Sequence, residues 1–416
     1  MRKRSAFIPL IFISIFLLLL DRYVFAGIQT LGNTFDSAQA RNILYIAYWF
    51  VSLGIILGLF YLLYSFLPGR KLTLLFNTIF NCFLALLLSK IVFALILLAE
   101  DIYRAVSALV TTAFAVEGSV PDRLPVVSGI AALFSAVPFF TFIFGITRGK
   151  YHYRIHRTTL YLEDLPQNFD GIKIVQISDI HAGSFDNRKA VQRGVDLIKS
   201  EKPDLFVFTG DLVNHVAEEI APWVDIFNQI KAPLGQFSIV GNHDYGDYVS
   251  WRSIELKQKN FLRLKNYHDQ LGYRLLMNEH VKIIKGNEFI TLIGIENWGL
   301  GFAQRGDLRK AMSGAEFHGF KILLSHDPSH WDAQVKNNPN KIHLTLSGHT
   351  HGMQFGIELW KFKWSPVKYR YHNWAGLTEE NGRYLYVNRG FGFLGFSGRI
   401  GIWPEITVIE LRKQVK

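Results

Sequence analysis

"IKIVQISDIH", residues 172–181, is the stretch whose reading decides the fold of this chain. Its first seven residues are a short apolar run rich in β-branched side chains, as in a buried strand. The run ends on Asp179-Ile180-His181. Side chains at i and i+2 of an extended segment point the same way and lie roughly 6.5 Å apart. Asp179 and His181 can therefore converge on one ion.

Five further runs read as buried strands: "LFVFTG" (205–210), "FSIVGN" (237–242), "ITLIGI" (290–295), "KILLSH" (321–326) and "IHLTLSG" (342–348). Four of them also end on groups that bind metals or protons: Gly210-Asp211, then Gly241-Asn242-His243-Asp244, then Ser325-His326-Asp327, and last Gly348-His349-Thr350-His351. From Asp179 to Asp211, and again from Asp211 to His243, is 32 residues. That interval fits a strand–helix–strand crossover, and the helical stretches Ala190 to Ser200 and Ala217 to Ile230 fill the gaps. The alternation argues for an α/β domain, and such crossovers deliver successive strand ends to one sheet edge. Glycines at 210, 241, 348 and 352 allow tight turns and close backbone approach.

The donors are carboxylate oxygen, imidazole nitrogen and one amide oxygen, a set that suits Mn, Fe or Zn better than Mg. A lone histidine at a strand end is more often a hydrogen-bonded core residue than a ligand. The combination carries the weight: five of the fourteen histidines stand in these motifs, whereas His215, His268, His318 and His343 read as structural. The one cysteine, Cys82, lies in an apolar segment, so neither an internal disulfide nor a thiolate metal site can be built.

Upstream of residue 148 the composition changes. The whole chain has a mean hydropathy of +0.15, and most of the apolar excess lies in this first part. A helix needs about 20 apolar residues to cross a bilayer. Ile43 to Leu67, Leu72 to Ala99 (interrupted only by Lys90) and Leu124 to Ile146 qualify. Ala6 to Leu20 is shorter, and a signal-peptide core behind Arg2-Lys3-Arg4 is the alternative. A fourth span is the better reading, because Asp21-Arg22 follow directly with no small-residue cleavage motif. Four spans place Arg2, Lys3, Arg4, Arg70, Lys71, Arg148, Lys150, Arg154 and Arg157 on the inner side. Arg22, Arg41, Arg104 and Arg123 fall outside, beside Asp21, Asp36, Glu100, Asp101, Glu117 and Asp122. By the positive-inside rule, this is an integral membrane protein, with the bacterial inner membrane as the expected site and its C-terminal part cytoplasmic. Lys90 is a functional candidate by its position; otherwise it lies near a span end or beside Asn77 or Asn81. Asp101 to Glu117 reads as an amphipathic surface helix. The formal charge of +11 divides as 10 Lys+Arg against 6 Asp+Glu before residue 148, and 35 against 28 after it. A basic globular part suits anionic partners, but no charge block forms a nucleic-acid arm.

In their order, D-x-H, G-D, G-N-H-D, H and G-H-x-H, these motifs resemble the calcineurin-like metallophosphoesterase superfamily over roughly residues 150–416. "LPQNFDGIKIVQISDIHAG" and "VNRGFGFLGFSGRIGIWPEITVIEL" resemble its membrane-anchored bacterial branch, which includes UDP-2,3-diacylglucosamine hydrolases. The resemblance implies a β-sandwich of two sheets flanked by helices. It divides the chain into a transmembrane helical domain at 1–148 and a metallophosphoesterase domain at 149–416. It also implies two divalent ions, one held by Asp179, His181, Asp211 and His351, the other by Asp211, Asn242, His326 and His349. Asp211 would bridge, and His243 would face the substrate phosphate as a catalytic group. Serine/threonine protein phosphatases read G-D-x-V-D-R-G at the second motif. Asn214 and His215 stand at the D-R positions here, so a protein phosphatase is not expected.

Two divalent ions bring +4, and the Asp179 and Asp211 carboxylates return −2. The remainder favours a phosphate and a bridging hydroxide, since coordination can lower the pKa of water from about 15.7 to near 7. The expected reaction is in-line attack on phosphorus, with His243 stabilising the transition state or protonating the leaving oxygen. Asp244 orients the site or forms a surface salt bridge.

"LWKFKWSPVKYRYHNW" (359–374) mixes aromatics with Lys361, Lys363, Lys368 and Arg370. It suits an anionic membrane interface, with an amphipathic hairpin over the sandwich or a single-stranded nucleic-acid platform as alternatives. Given the spans, membrane lipids are the expected partner and nucleic acid is not. No protein partner can be inferred. Arg389 and Arg399 are candidate substrate contacts, and Ser253 to Gln270 reads as a basic surface helix. The leading expectation is hydrolysis of a phosphate ester or pyrophosphate on a phosphorylated, lipid-linked substrate. The alternatives are a soluble phosphodiester with the spans as a tether, and a non-catalytic membrane sensor; the latter predicts lost ligands, and none is lost.

Overall fold

The computed structural model describes residues 7–65, 74–113, 121–315, 319–360 and 362–414. The expectations placed on Arg2, Lys3, Arg4, Arg70, Lys71, Glu117, His318 and Lys361 fall outside the described residues. The chain divides into two compact units between Phe144 and Gly145.

The first unit is built of α1 (Phe7–Gly32), α2 (Ala38–Ser65), α3 (Leu74–Ala113) and α4 (Pro125–Thr147). Each is long and apolar enough to cross a membrane, and few of the described side chains are buried, as in helices that face lipid. Asp21 and Arg22 do not begin a loop: α1 continues through them. The reason lies in α3. Lys90 Nζ stands 2.6 Å from Asp21 Oδ1 and donates to Ser52 Oγ of α2 at 2.9 Å. Ser52 and Tyr48 also donate to Asp21 Oδ1, both at 3.1 Å. Lys90's partner is thus Asp21, and neutralisation within the bundle lets a carboxylate sit inside an apolar helix; the side chain of Asn77 lies outside the described residues. A cavity of about 380 Å³ lies beside this pair, lined by Val24, Tyr48, Ser52, Lys90 and Phe93 among others. Asp101 to Ala113 is not a separate surface helix but the last part of α3, with Ile102, Val106 and Leu109 exposed.

The second unit contains the strands β1 (Arg154–Leu162), β2 (Lys173–Ile177), β3 (Leu205–Phe208), β4 (Gln236–Ser238), β5 (Arg274–Leu275), β6 (Glu279–Lys285), β7 (Glu288–Gly294), β8 (Lys321–Leu324), β9 (Leu344–Ser347), β10 (Ile357–Leu359), β11 (Phe362–Trp364), β12 (Gly376–Glu380), β13 (Arg383–Val387) and β14 (Glu405–Lys413). Six form one sheet in the order β1-β14-β2-β3-β4-β5, and six another in the order β12-β13-β9-β8-β7-β6; β10 and β11 pair as a hairpin. Strands β2, β3 and β4 run parallel, as do β7, β8 and β9.

The continuous apolar runs follow from burial on both faces. Ile174 and Val207 point between the sheets, against Leu292, Ile322 and Leu344. Their neighbours Val175 and Phe206 face outward, against α5 (Arg188–Ser200), where Val191 and Val195 pack, and α7 (Ile254–Leu271). Between these helices, Pro222 limits the 217–230 segment to a 3-10 helix, Ala217–Trp223, and the short α6 (Val224–Phe227). The result is a mixed α/β domain of two sheets flanked by helices.

Candidate metal centre

The donors converge by turns, not by the strand pleat. Asp179, His181, Asp211, His349 and His351 all have positive φ, between 47° and 71°. Only glycine adopts this region freely, and Asp and His are among the side chains that tolerate it. Asp179 and His181 therefore meet through left-handed turns beyond the end of β2 rather than along an extended strand. Backbone bonds hold these turns: Asp179 N donates to Gly210 O (2.8 Å), His181 N to Asp211 O (3.1 Å) and Gly348 N to His326 O (2.9 Å). Two glycines are required by space. A Cβ at 348 would lie 1.8 Å from Ser178 Oγ, and one at 241 would lie 2.2 Å from Asp211 Oδ1.

Asp244 organises the same loops from inside. Fully buried, its carboxylate accepts from Asp211 N (2.9 Å), Leu212 N (2.8 Å) and Gly241 N (2.8 Å). It orients the site and is no surface salt bridge. Burial, followed by the nearby Asp211 charge, pushes its carboxyl up to about 7.

Two clusters result: Asp179, His181 and His351, and Asp211, His326 and His349, each with its donor atoms within 4.8 Å of one another. In the first, His181 Nε2 faces His351 Nε2 at 3.0 Å, and His351 Nε2 lies 3.2 Å from Asp179 Oδ1. In the second, His326 Nε2 lies 3.2 Å from Asp211 Oδ2, and His349 Nδ1 is 3.3 Å from His326 Nε2 and 2.9 Å from Asn242 Oδ1. Asp211 Oδ2 is also 3.6 Å from His181 Nε2, so it touches both clusters. Burial alone would raise the Asp179 and Asp211 carboxyls; the imidazoles facing them, led by His351 and His326 respectively, hold both well below the usual range. Burial opposes a charge on His326, but the adjacent Asp211 carboxylate brings it up to about 10. Burial takes His349 down to about 4.

The donor set fits divalent ions. His181 Nδ1 is 3.2 Å from Val213 O and His326 Nδ1 is 2.7 Å from Thr209 O. A carbonyl only accepts, so each Nδ1 carries a hydrogen and each Nε2 faces the cluster, where a divalent ion would displace the proton that His326 shares with Asp211. Buried lone pairs and carboxylates gathered this closely call for cations.

His243 belongs to neither cluster. Its Nδ1 donates to Asn214 O (2.8 Å), its ring lies against Tyr248 with centroids 4.3 Å apart, and its edge meets His181. The backbone carbonyl of Asn214 thus fixes this ring. Asn242 turns its amide nitrogen to Tyr248 OH (2.8 Å), leaving its oxygen for the second cluster.

Two residues to which the sequence assigned no role complete the centre. Buried Asp327 lies 3.5 Å from His349 Nε2, and Tyr371 OH stands 2.9 Å from the same nitrogen. The His326-Asp327 dipeptide is the sequence signal for the first; nothing local marks Tyr371, which comes from 22 residues beyond His349. Arg389 and Arg399, the two candidate substrate contacts, are both buried, and only Arg389 is paired with carboxylates. Arg389 is buried, with Nη1 on Glu405 (2.5 Å) and Nη2 on Glu358 (2.7 Å). Arg399, fully buried, donates to Gly392 O (2.6 Å) and Gly390 O (3.1 Å), and its Nη2 lies 3.3 Å from His351 Nδ1.

Two stacked mixed sheets that gather these oxygen and imidazole donors along one edge define a metal-dependent hydrolase. The chain belongs to the calcineurin-like phosphoesterase family: residues 172–353 match the family described as calcineurin-like phosphoesterase, and residues 3–150 match "Probable Calcineurin-like phosphoesterase, transmembrane domain". Among its relatives, the metallophosphoesterase YkuE of Bacillus subtilis is 30% identical over 252 residues, 60% of this chain and 82% of that protein. The UDP-2,3-diacylglucosamine pyrophosphatase LpxG of Chlamydia trachomatis is 30% identical over 281 residues, 57% of this chain and 83% of that protein. A transmembrane protein with metallophosphoesterase domain from Danio rerio is 29% identical over 65% of this chain, which spans 60% of that relative's length. The chain is a membrane-linked, metal-dependent phosphoester hydrolase.

Proposed function

We propose that this enzyme hydrolyses a phosphate ester or pyrophosphate bond of a lipid-linked substrate of the UDP-diacylglucosamine type, on the cytoplasmic face of the membrane. The observation that carries the reading is the contact of Asp211 with both donor clusters, on a chain with four helices apolar enough to cross a bilayer. The similarity to LpxG supports the substrate class, and the cations that follow α4 in the sequence, Arg148, Arg154 and Arg157, support the orientation.

In this reading Asp179, His181, Asp211 and His351 hold one divalent ion, and Asp211, Asn242, His326 and His349 hold the second, each Mn, Fe or Zn. Bound ions supply Lewis-acid charge to the phosphoryl oxygens and acidify water. The chain does the rest. The ring of His243, fixed through Nδ1–H by Asn214 O, turns Nε2 to the leaving oxygen and can give it a proton in the imidazolium form. Tyr248 packs on that ring and receives the Asn242 amide, so it sets both orientations. Asp244 keeps the Asp211 and Asn242 loops in register through its backbone bonds.

The test is turnover by the full chain in detergent with Mn, on UDP-2,3-diacylglucosamine and on a small aryl phosphodiester. Release of UMP from the lipid with a higher kcat/KM is expected. Cleavage of the small ester alone would overturn the substrate assignment.

A further inference from the structure

The hairpin of β10 and β11 is amphipathic in the wrong sense for a water-facing edge. Its register pairs Ile357 with Trp364, Glu358 with Lys363 and Leu359 with Phe362. Residues two apart on a strand, and directly paired residues, share a face, so Ile357, Leu359, Phe362 and Trp364 lie on one face and Glu358 and Lys363 on the other. The polar face is the one fastened to the domain. Glu358 accepts from Arg389 Nη2 (2.7 Å), Arg389 is held by buried Glu405 (2.5 Å), and Lys363 Nζ donates to Ala375 O (2.5 Å). The apolar face is turned out: Leu359 is 69% and Phe362 59% exposed, and Trp360 beyond them is 97% exposed. An antiparallel ribbon with one wet face ordinarily shows the reverse, and clustered exposed apolar side chains mark an interaction surface.

Charge selects the partner. Residues 359–378 contain four cations, Lys361, Lys363, Lys368 and Arg370, and no Asp or Glu. Lys368, Tyr369 and Arg370 are exposed just beyond the hairpin. Aromatics beside Lys and Arg are the side chains that settle at a bilayer's headgroup level, and anionic headgroups attract such cations.

We propose that Leu359, Trp360, Phe362 and Tyr369 insert into the headgroup boundary of an anionic bilayer, making the hairpin a second membrane contact of the catalytic domain. The contact is rigidly joined to the metal centre. Ser365 Oγ donates to Gly352 O (2.7 Å), Thr350 Oγ1 donates to Trp374 O (2.7 Å), and Tyr371 OH reaches His349 Nε2 (2.9 Å). Insertion therefore fixes the level of the His349–His351 loop relative to the lipid headgroups. This deepens the lipid-substrate reading and gives Arg389 a role as the positioning residue of the hairpin.

The test uses the full chain with its one cysteine removed (Cys82→Ala), a nitroxide at Trp360→Cys or Tyr369→Cys, and a control at Lys199→Cys. Lys199 is exposed in the last turn of α5, the helix end away from the donor loop that follows β2. In vesicles of phosphatidylcholine and phosphatidylglycerol, the ratio of oxygen to nickel-chelate collisions is expected to be several-fold higher at 360 and 369 than at 199. Equal ratios at all three positions overturn the proposal. So does mutual dipolar broadening of labels at 360, which would make the face a contact between copies of the chain. The readout needs no turnover: insertion without cleavage of UDP-2,3-diacylglucosamine leaves the docking standing and removes the substrate assignment instead.

Discussion

The Tyr371 hydroxyl lies 2.9 Å from His349 Nε2 and closes a triangle with Asp327, whose Oδ2 is 3.3 Å from the hydroxyl and 3.5 Å from the same nitrogen. The carboxylate keeps a hydrogen on Nε2 and so frees Nδ1 to face Asn242 and His326. Such outer partners typically account for 10–100-fold in metal affinity. Asp327→Asn and Tyr371→Phe should each weaken the ion of the Asp211–His326–His349 cluster by roughly 10-fold or more, read by competition with a chelator. Unchanged affinity in both variants would remove the triangle's role.

His243 and Asp211 should separate by what they lose. His243→Ala is expected to keep both ions by elemental analysis while turnover falls roughly 100-fold or more. Asp211→Ala should lose metal as well, because its carboxylate touches both clusters.

Glu405 gives a pH signature. Burial alone would raise its carboxyl, but Arg389 and its other partners bring it from the ordinary 4.5 down to about 2. A folded-state value below the unfolded one means stability that is complete above about 4.5 and lost as pH falls towards about 2, on the order of 3 kcal/mol. Glu405→Gln should flatten the melting temperature across that window. At neutral pH it should be the less stable protein, since Arg389 stays buried without its closest partner. A variant whose acid slope parallels the parent's would assign that slope to another group.

Within the helical unit, Lys90→Met leaves the Asp21 carboxylate among apolar helices, and removing one member of a buried pair costs about 3–5 kcal/mol. Thermal unfolding in micelles should show a marked loss for Lys90→Met and a substantial recovery in Asp21→Asn/Lys90→Met. Equal losses in the single and double variants would mean that the pair is not coupled.

The donors were legible because each ends a short apolar run. Asp179, Asp211, Asn242, His326 and His349 are marked by what precedes them, and at Asp211, Asn242 and His349 a preceding glycine signals the tight turn. Contacts that arise only on folding were not legible. Asp21 looked like a loop residue because its counter-charge, Lys90, lies on another helix. Arg389 looked like a free cation because Glu405 reaches it only when β14 and the loops come together. The hairpin's polarity was hidden for the same reason: alternation in 357–364 shows two faces, but not which one the domain will keep.

The left-handed backbone at Asp179, His181, Asp211, His349 and His351 has a practical consequence for anyone trying to harden this enzyme. Side-chain-bearing residues in sparsely populated conformations each cost of order 1–3 kcal/mol, a cost that glycine would not carry at these positions and that the donor chemistry requires. Screens that select on heat resistance alone will drift towards inert chains, and thermostabilising changes should be sought away from this rim of the sandwich.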